Sequence, residues 1–187
     1  MTLLIVGLLL WFAAHVFKRA APHARDAFGA AAGPRAARGI VAGIIVLGLA
    51  LMIAGYRSAP FVPVYTPPSW GIHLNNLAML AAVALVGMGH SKGRARSWLR
   101  NPMLTGVVVW AVAHLLVNGD LASLVLFGGL GVWAVTNIVL IDLREGPWTP
   151  PPPGPLSGDI RLAAITLVVF AVIAIIHAWL GAWPFPR

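Results

Sequence analysis

Six apolar runs, separated by short polar or proline-containing stretches, are the feature that most limits what this chain can fold into. They cover about residues 2–17, 39–56, 72–89, 103–117, 120–141 and 160–180. A helix needs about 20 apolar residues to cross the hydrocarbon core of a bilayer, and most of the runs approach that length. The chain is 59% hydrophobic and 10% charged, which leaves too few polar side chains to cover a water-soluble surface. The sequence therefore predicts an all-α integral membrane protein, a bundle of six transmembrane helices.

The Lys and Arg residues are distributed unevenly between the two sides of such a bundle. Eleven of the thirteen follow the first, third and fifth runs or open the sixth, and the other two are Arg57 and Arg187. Because positive charge collects in cytoplasmic loops, both termini are predicted on the non-cytoplasmic side of a multi-pass protein of the inner (plasma) membrane. The basic residues lie in short loops rather than on one face, which excludes nucleic acid as a partner and leaves the lipid bilayer.

The stretches between the runs have distinct compositions. Residues 18–38 are predicted to form a basic loop, and its charge comes after the first apolar run. A cleavable signal peptide carries its charge before the apolar run, so the first run is interpreted as an uncleaved span. Residues 142–159 include GPWTPPPPGP and are predicted to be an extended, Pro-rich cytoplasmic loop. Residues 160–187 then form the sixth transmembrane helix and a tail.

The fourth run contains one ionisable residue, His114, in a stretch that otherwise carries no charge. Asn101 is predicted to cap its helix, with Pro102 at the first helical position. Asn118-Gly119-Asp120 supplies a C-terminal glycine and a capping aspartate for the next helix. A histidine at hydrocarbon depth is costly and is therefore a candidate functional residue.

A second histidine, His15, has the same sequence setting in the first run. Both belong to a Trp-x-x-Ala-His pattern, with Trp11 and Trp110 four residues before the histidines and so on the same helix face. Two imidazoles from different helices, with aromatic and small neighbours, suit a b-type haem in a helical bundle. The chain has no cysteine, which excludes a thiolate ligand to the haem iron. The alternative is that each histidine only bonds a neighbouring helix.

Other polar residues in or near the runs are weaker candidates. His73 and His177 form a second choice of metal ligands, since both fall near the outer ends of their spans. Asn75 and Asn76 either line a pocket or tie helices together. Arg57 is expected to reach the membrane interface, or to pair with a haem propionate.

The chain also resembles a known family. The segment 102–128, PMLTGVVVWAVAHLLVNGDLASLVLFG, is similar to the signature of the NnrU family, as are GYR at 55–57 and PPSW at 67–70. The resemblance includes the His15 segment and covers about residues 1–141, which are identified as an NnrU-like membrane domain. Two positions depart from the pattern: Asn101 stands where the family usually has histidine, and Ala111 stands where a plant relative has cysteine.

The resemblance implies a function that residue spacing does not. Bacterial members are associated with nitrite and nitric oxide metabolism in denitrification, which implies a haem b protein with a nitrogen-oxide ligand or a partner membrane protein of a reductase system. The plant relative, 15-cis-zeta-carotene isomerase, binds haem b through histidines that match His15 and His114. An alternative is therefore a haem-dependent cis–trans isomerase of a carotenoid, another polyene or another isoprenoid. A haem-free membrane scaffold is the second alternative.

Overall fold

The computed structural model of the protein describes residues 1–186, and Arg187, one of the charges counted above, lies outside the described residues. Within residues 1–186 there are seven α-helices and no β-strand beyond an isolated bridge between Pro63 and Asp120. The prediction of an all-α fold is confirmed. The helices are α1 (Thr2–Ala20), α2 (Pro22–Ala32), α3 (Pro34–Arg57), α4 (Gly71–Met88), α5 (Pro102–Leu115), α6 (Leu121–Glu145) and α7 (Leu156–Trp179).

Five helices of the described chain are long and apolar enough to cross a membrane, namely α1, α3, α4, α6 and α7. Their number makes the chain a multi-pass membrane protein. Helix α5 is also apolar but has 14 residues. Its length is about 21 Å, against about 30 Å for the hydrocarbon core of a bilayer.

The stretch between the first two predicted spans is mostly helical rather than a loop, which corrects the prediction for residues 18–38. Helix α2 occupies Pro22–Ala32, and α3 already begins at Pro34. Each of these helices has proline at its start, where a missing N–H costs nothing, and α2 is rich in alanine, the strongest helix former. Proline at the first helical position was thus the signal that could have predicted this helix.

The polypeptide folds into two compact units, each described here by itself. The first unit comprises residues 1–64 and 120–146 and contains α1, α2, α3 and α6. The second comprises residues 65–119 and 147–186 and contains α4, α5 and α7. The predicted membrane domain of residues 1–141 therefore draws on both units.

The first unit is centred on close packing between α1 and α3. A Cβ atom added to Gly7 would lie 2.6 Å from the carbonyl oxygen of Gly48, so the absence of a side chain is what allows the two backbones to approach. Leu4, Met52 and Ala122 form a buried cluster that joins these helices to α6. Small residues at the contact are typical of helix packing inside a bilayer.

Polar contacts hold the start and the end of α6 in the first unit. The backbone N–H of Ser123 donates to Asp120 Oδ1 at 3.0 Å, which confirms Asp120 as the predicted cap. The Ser123 hydroxyl donates to the same carboxylate, and the Tyr56 hydroxyl donates to Ser123 Oγ at 2.9 Å. Near the other end of α6, the guanidinium of Arg19 lies 3.3 Å from the Glu145 carboxylate.

In the second unit, α4 packs against both α5 and α7. The turn after α5 is tied to the preceding loop by Tyr65, whose hydroxyl donates to the carbonyls of Leu115 and Asn118. The carboxylate of Asp159, at the start of α7, accepts from the backbone N–H of Ala95 at 3.0 Å. Of the predicted loop 142–159, residues 146–155 are not helical, as their prolines predict, whereas 142–145 end α6 and 156–159 begin α7.

Two local predictions around α5 need correction. Asn101 precedes the helix, but its side chain makes no capping hydrogen bond; its backbone oxygen instead accepts from the Thr105 N–H and hydroxyl. Gly119 has no positive φ, so it is not a left-handed helix terminator. It is packed against the carbonyl oxygen of Tyr65, where a Cβ atom would clash. Close backbone approach therefore explains this glycine.

Candidate functional site

The two Trp-x-x-Ala-His motifs have the same local hydrogen bond. His15 donates through Nδ1 to the carbonyl oxygen of Trp11 at 2.8 Å, and His114 donates through Nδ1 to that of Trp110 at 2.9 Å. A backbone carbonyl can only accept, so Nδ1 carries the proton and, in the neutral ring, Nε2 carries the lone pair. Metal-binding histidines are usually held in this way, with the second nitrogen bonded to a carbonyl or carboxylate.

Each histidine also lies against the indole ring of its motif. The ring centroids are 4.3 Å apart for Trp11 and His15, and 5.0 Å apart for Trp110 and His114. The predicted same-face placement of Trp and His is confirmed at both sites. The contact restricts rotation of the imidazole and so orients Nε2.

His15, in the first unit, has a second aromatic neighbour. The Trp133 ring lies 4.9 Å from the His15 ring and 5.5 Å from the Trp11 ring, edge-on to both. Trp133 is 7% exposed, and the indole N–H groups of Trp11 and Trp133 have no hydrogen-bond partner among the described residues. Sequence reasoning missed Trp133, because nothing in the α6 pattern indicates that this apolar residue faces α1 rather than lipid.

His114, in the second unit, lines a cavity of about 380 Å³ between α4, α5 and α7. Its walls are almost entirely aliphatic and aromatic, with Trp110 among them. Its polar contributions besides His114 include Asn75, Thr166 and His177. An apolar cavity with a few polar groups is the usual form of a small-molecule site.

The other predicted site residues are placed as follows. His177 lines the cavity with His114, and its Nδ1 donates to the carbonyl oxygen of Ile173 at 2.8 Å. His73 is exposed on α4 and lies outside the described residues that line the cavity, so the cavity brings His177 together with His114 and not with His73. Arg57, the last residue of α3, is exposed and belongs to the first unit.

Of the two roles considered for Asn75 and Asn76, lining a pocket holds for both, and among the described residues only Asn76 bonds another segment of the chain. The Asn76 side chain donates to the carbonyl oxygen of Pro184 at 3.0 Å, which ties α4 to the segment after α7. Both asparagines also line the cavity. The pairing of His15 with His114 stays a prediction, because the two residues belong to different units.

The histidines that could bind iron suit a haem better than a bare metal ion. Among residues 1–186 no three His, Cys, Asp or Glu side chains come together as a metal-ion site requires. Haem iron takes its equatorial ligands from the porphyrin and needs only one or two axial protein ligands. His15, His114 and His177 each meet the requirement of a tautomer that leaves the lone pair on Nε2. Ala111, at the position where the plant relative has cysteine, is buried and offers no ligand atom.

Comparison with known proteins gives one result. No curated protein and no solved structure matches the chain. The family model described as NnrU protein matches residues 3–184. The match extends beyond the predicted residues 1–141 and includes all of α7, which contributes His177 and Thr166 to the cavity. The chain belongs to the NnrU family.

Proposed function

We propose that the chain is a haem b protein of the inner membrane with six transmembrane helices and both termini on the non-cytoplasmic side. The uneven distribution of Lys and Arg supports this topology, with eleven of thirteen on one side. Five long apolar helices supply five crossings, and α5 with the turn after it supplies the sixth. A hydrophobic stretch shorter than the hydrocarbon core is accommodated by local thinning of the bilayer or by association with other helices, and α5 packs against α4.

The topology is testable because the chain has no cysteine of its own. Ser69→Cys lies in the exposed loop before α4, and Ser157→Cys lies at the exposed start of α7. A membrane-impermeant maleimide added to intact cells is expected to label the first variant and not the second. Labelling of both after the cells are broken is the control, and the reverse pattern in intact cells would refute the orientation.

The haem is proposed to bind through Nε2 of His114, with His15 as the second axial ligand. The observation that carries the proposal is the Nδ1–H bond of each histidine to the carbonyl of the tryptophan four residues earlier. Trp11 and Trp110 pack on the two ligands, and Arg57 is proposed to pair with a propionate. His177 is the structure-based alternative to His15, since it lines the same cavity as His114.

The haem then serves nitrite and nitric oxide metabolism, either by binding a nitrogen oxide or by exchanging electrons with a partner membrane protein of a reductase system. Family membership supports this role. A haem-dependent isomerase of a carotenoid or other isoprenoid is the second candidate. The apolar cavity beside His114 favours it, because its walls suit a long hydrocarbon chain.

The decisive experiment is a reduced-minus-oxidised spectrum of the full chain, expressed with added haem precursor and purified in detergent. A Soret band and a low-spin spectrum are expected, together with the pyridine haemochrome of haem b. His114→Ala, His15→Ala and His177→Ala are compared, with His73→Ala as the matched surface control. Absence of a Soret band would refute the haem proposal and leave the scaffold alternative.

A further inference from the structure

The cavity of the second unit is elongated and has different chemistry at its two ends. Helices α4 and α7 run antiparallel along it, with Asn75 and His177 at one end and Gly87 and Leu162 at the other. At about 1.5 Å per residue, the distance along α4 between these ends is roughly 18 Å. Apart from the Thr166 hydroxyl, one turn from Leu162, the end with Gly87 and Leu162 is apolar, so the end with Asn75 and His177, the polar end, is the place where a ligand can be recognised by several hydrogen bonds.

A chain of hydrogen bonds determines which atom Asn75 presents at the polar end. The Pro184 carbonyl can only accept, so the Asn76 side chain must donate to it through Nδ2. Oδ1 of Asn76 is then the acceptor for Nδ2 of Asn75, at 3.3 Å. The side-chain oxygen of Asn75, Oδ1, then has no hydrogen-bond partner among the described residues, although the residue is only 8% exposed. A buried, unpaired carbonyl is unfavourable unless a ligand donates to it.

His177 presents an acceptor at the same end. Its Nδ1–H is used by the Ile173 carbonyl, so Nε2 of the neutral ring carries a lone pair. Thr166, eleven residues before His177 on α7 and nearer the other end of the cavity, is 7% exposed and has a hydroxyl without a partner among the described residues. Besides His114, whose Nε2 is proposed above as an iron ligand, the polar end of the cavity holds two acceptors, from two different helices, and suits a ligand head group that donates twice.

We propose that this cavity binds a lipid-soluble quinol, with one hydroxyl donating to Asn75 Oδ1, the other to His177 Nε2, and the apolar tail lying between α4 and α7. The alternatives fit less well. A phosphatidylcholine offers only acceptors, and the ammonium donors of a phosphatidylethanolamine carry a charge that an almost wholly apolar cavity disfavours. A hydrocarbon polyene offers no donor, and an aliphatic alcohol or fatty acid offers one. The aromatic head group also suits the cavity wall, to which Phe170 contributes.

This inference does not rest on the haem proposal with His114 and His15 as the iron ligands, because that pair uses neither Asn75 nor His177. Ligation of the iron by His177 in place of His15 would exclude the quinol contact at its Nε2. The two proposals also have separate readouts. Haem is measured by the Soret band, and quinol binding is measured by equilibrium dialysis of the full chain in detergent micelles. Bound quinol without a Soret band would refute the haem proposal alone, and a Soret band without bound quinol would refute this one alone.

The experiment uses a benzoquinol with a decyl tail, under anaerobic conditions and with the protein reduced. Its matched partner is the quinone of the same tail, in which both donors are replaced by acceptors. We expect the quinol to bind about a hundredfold more tightly, since a site built for a hydroxyl rejects the analogue without it. Equal binding of the two forms, or of an aliphatic alcohol with the same tail, would overturn the proposal.

Substitutions of two cavity residues test where the quinol binds. Asn75→Leu keeps the side-chain size and removes the acceptor, and is expected to weaken quinol binding about tenfold. His177→Phe keeps a ring and is expected to have a similar effect. His73→Leu changes an exposed residue on the same helix and should leave binding unchanged. Unchanged binding in both cavity variants would overturn the proposal. If neither variant folds, the quinol–quinone comparison on the native chain still tests it.

Discussion

His15 and His114 occupy the same sequence motif in two different surroundings. Both donate through Nδ1 to the carbonyl of a tryptophan four residues earlier, at 2.8 and 2.9 Å, and both lie against that tryptophan's ring. In the first unit, Trp133 then packs on the His15 ring. In the second unit, His114 faces a cavity of about 380 Å³. The local geometry is the same, and the environment of the ring is not.

The different surroundings of His15 and His114 suggest different roles for the two copies of the motif. Helical geometry alone brings residue i next to the carbonyl of residue i−4, so the tautomer is determined within the motif. The space around Nε2 depends on neighbouring helices. A histidine held between two indoles is suited to permanent ligation, whereas one beside a cavity can exchange its partner for a ligand. We therefore expect His114 to be the residue on which ligand chemistry depends.

The largest expected effect is the loss of haem from His114→Ala. Removing this ligand is expected to abolish most of the Soret band, because the cavity then has no imidazole that a tryptophan holds in position. His15→Ala should retain part of the haem and convert it from low-spin to high-spin, as measured by visible and electron paramagnetic resonance spectra. Equal retention in both variants would show that the two motifs are equivalent.

A large effect on stability is expected from Trp133→Ala in the first unit. The variant leaves a cavity beside His15 and is expected to lower the free energy of unfolding by about 3–5 kcal/mol. Thermal unfolding in detergent measures the change. Trp133→Phe is the milder control, which retains a ring next to His15. Quinol binding in the second unit should be unaffected, and its loss would show that the two surroundings are not independent.

A smaller effect of opposite sign is expected from Thr166→Val in the second unit. The Thr166 hydroxyl is buried without a partner among the described residues, so its replacement is expected to stabilise the ligand-free protein by about 1 kcal/mol. Thr105→Val is the matched control, since its hydroxyl donates to the Asn101 carbonyl at 3.0 Å. That variant should lose up to about 1 kcal/mol. Destabilisation by both would mean that the Thr166 hydroxyl is satisfied.

The smallest effect is expected at the ion pair one helical turn beyond His15. Arg19 and Glu145 are 32% and 52% exposed in their side chains, and such pairs contribute little. Arg19→Gln is expected to change the free energy of unfolding by less than about 0.5 kcal/mol. The spectrum of the proposed haem should also stay the same. A large spectral change would mean that the ion pair, and not the indole packing, positions His15.

Several features of the fold and the site could be predicted from residues near one another in the sequence. The apolar runs predict the membrane helices, since hydropathy over one helix length is a local property. Asp120 caps α6 as its type and position predict, with its carboxylate 3.0 Å from the Ser123 N–H. The Trp-x-x-Ala-His spacing predicts the contact between the tryptophan and histidine rings at both sites.

Other features required the packed structure. Asn101 has the residue type of a cap but makes no capping bond, because a cap also depends on the approach of the chain before the helix. Residues 18–38 were predicted as a loop from their charge, although proline and alanine favoured helix α2. In both cases residue type favoured more than one local structure, and the packing of the surrounding chain determined which one formed.

The sequence by itself determined which segments are apolar enough to be membrane helices and which family the residues resemble. Only the tertiary structure decided that Trp133 packs on His15, and that His177 rather than His73 shares a cavity with His114. The physical reason is the solvent. In water, burial separates apolar from polar residues, but lipid is as apolar as a protein interior. An apolar residue that faces lipid and one that faces another helix therefore have the same sequence pattern, and only the packing distinguishes them.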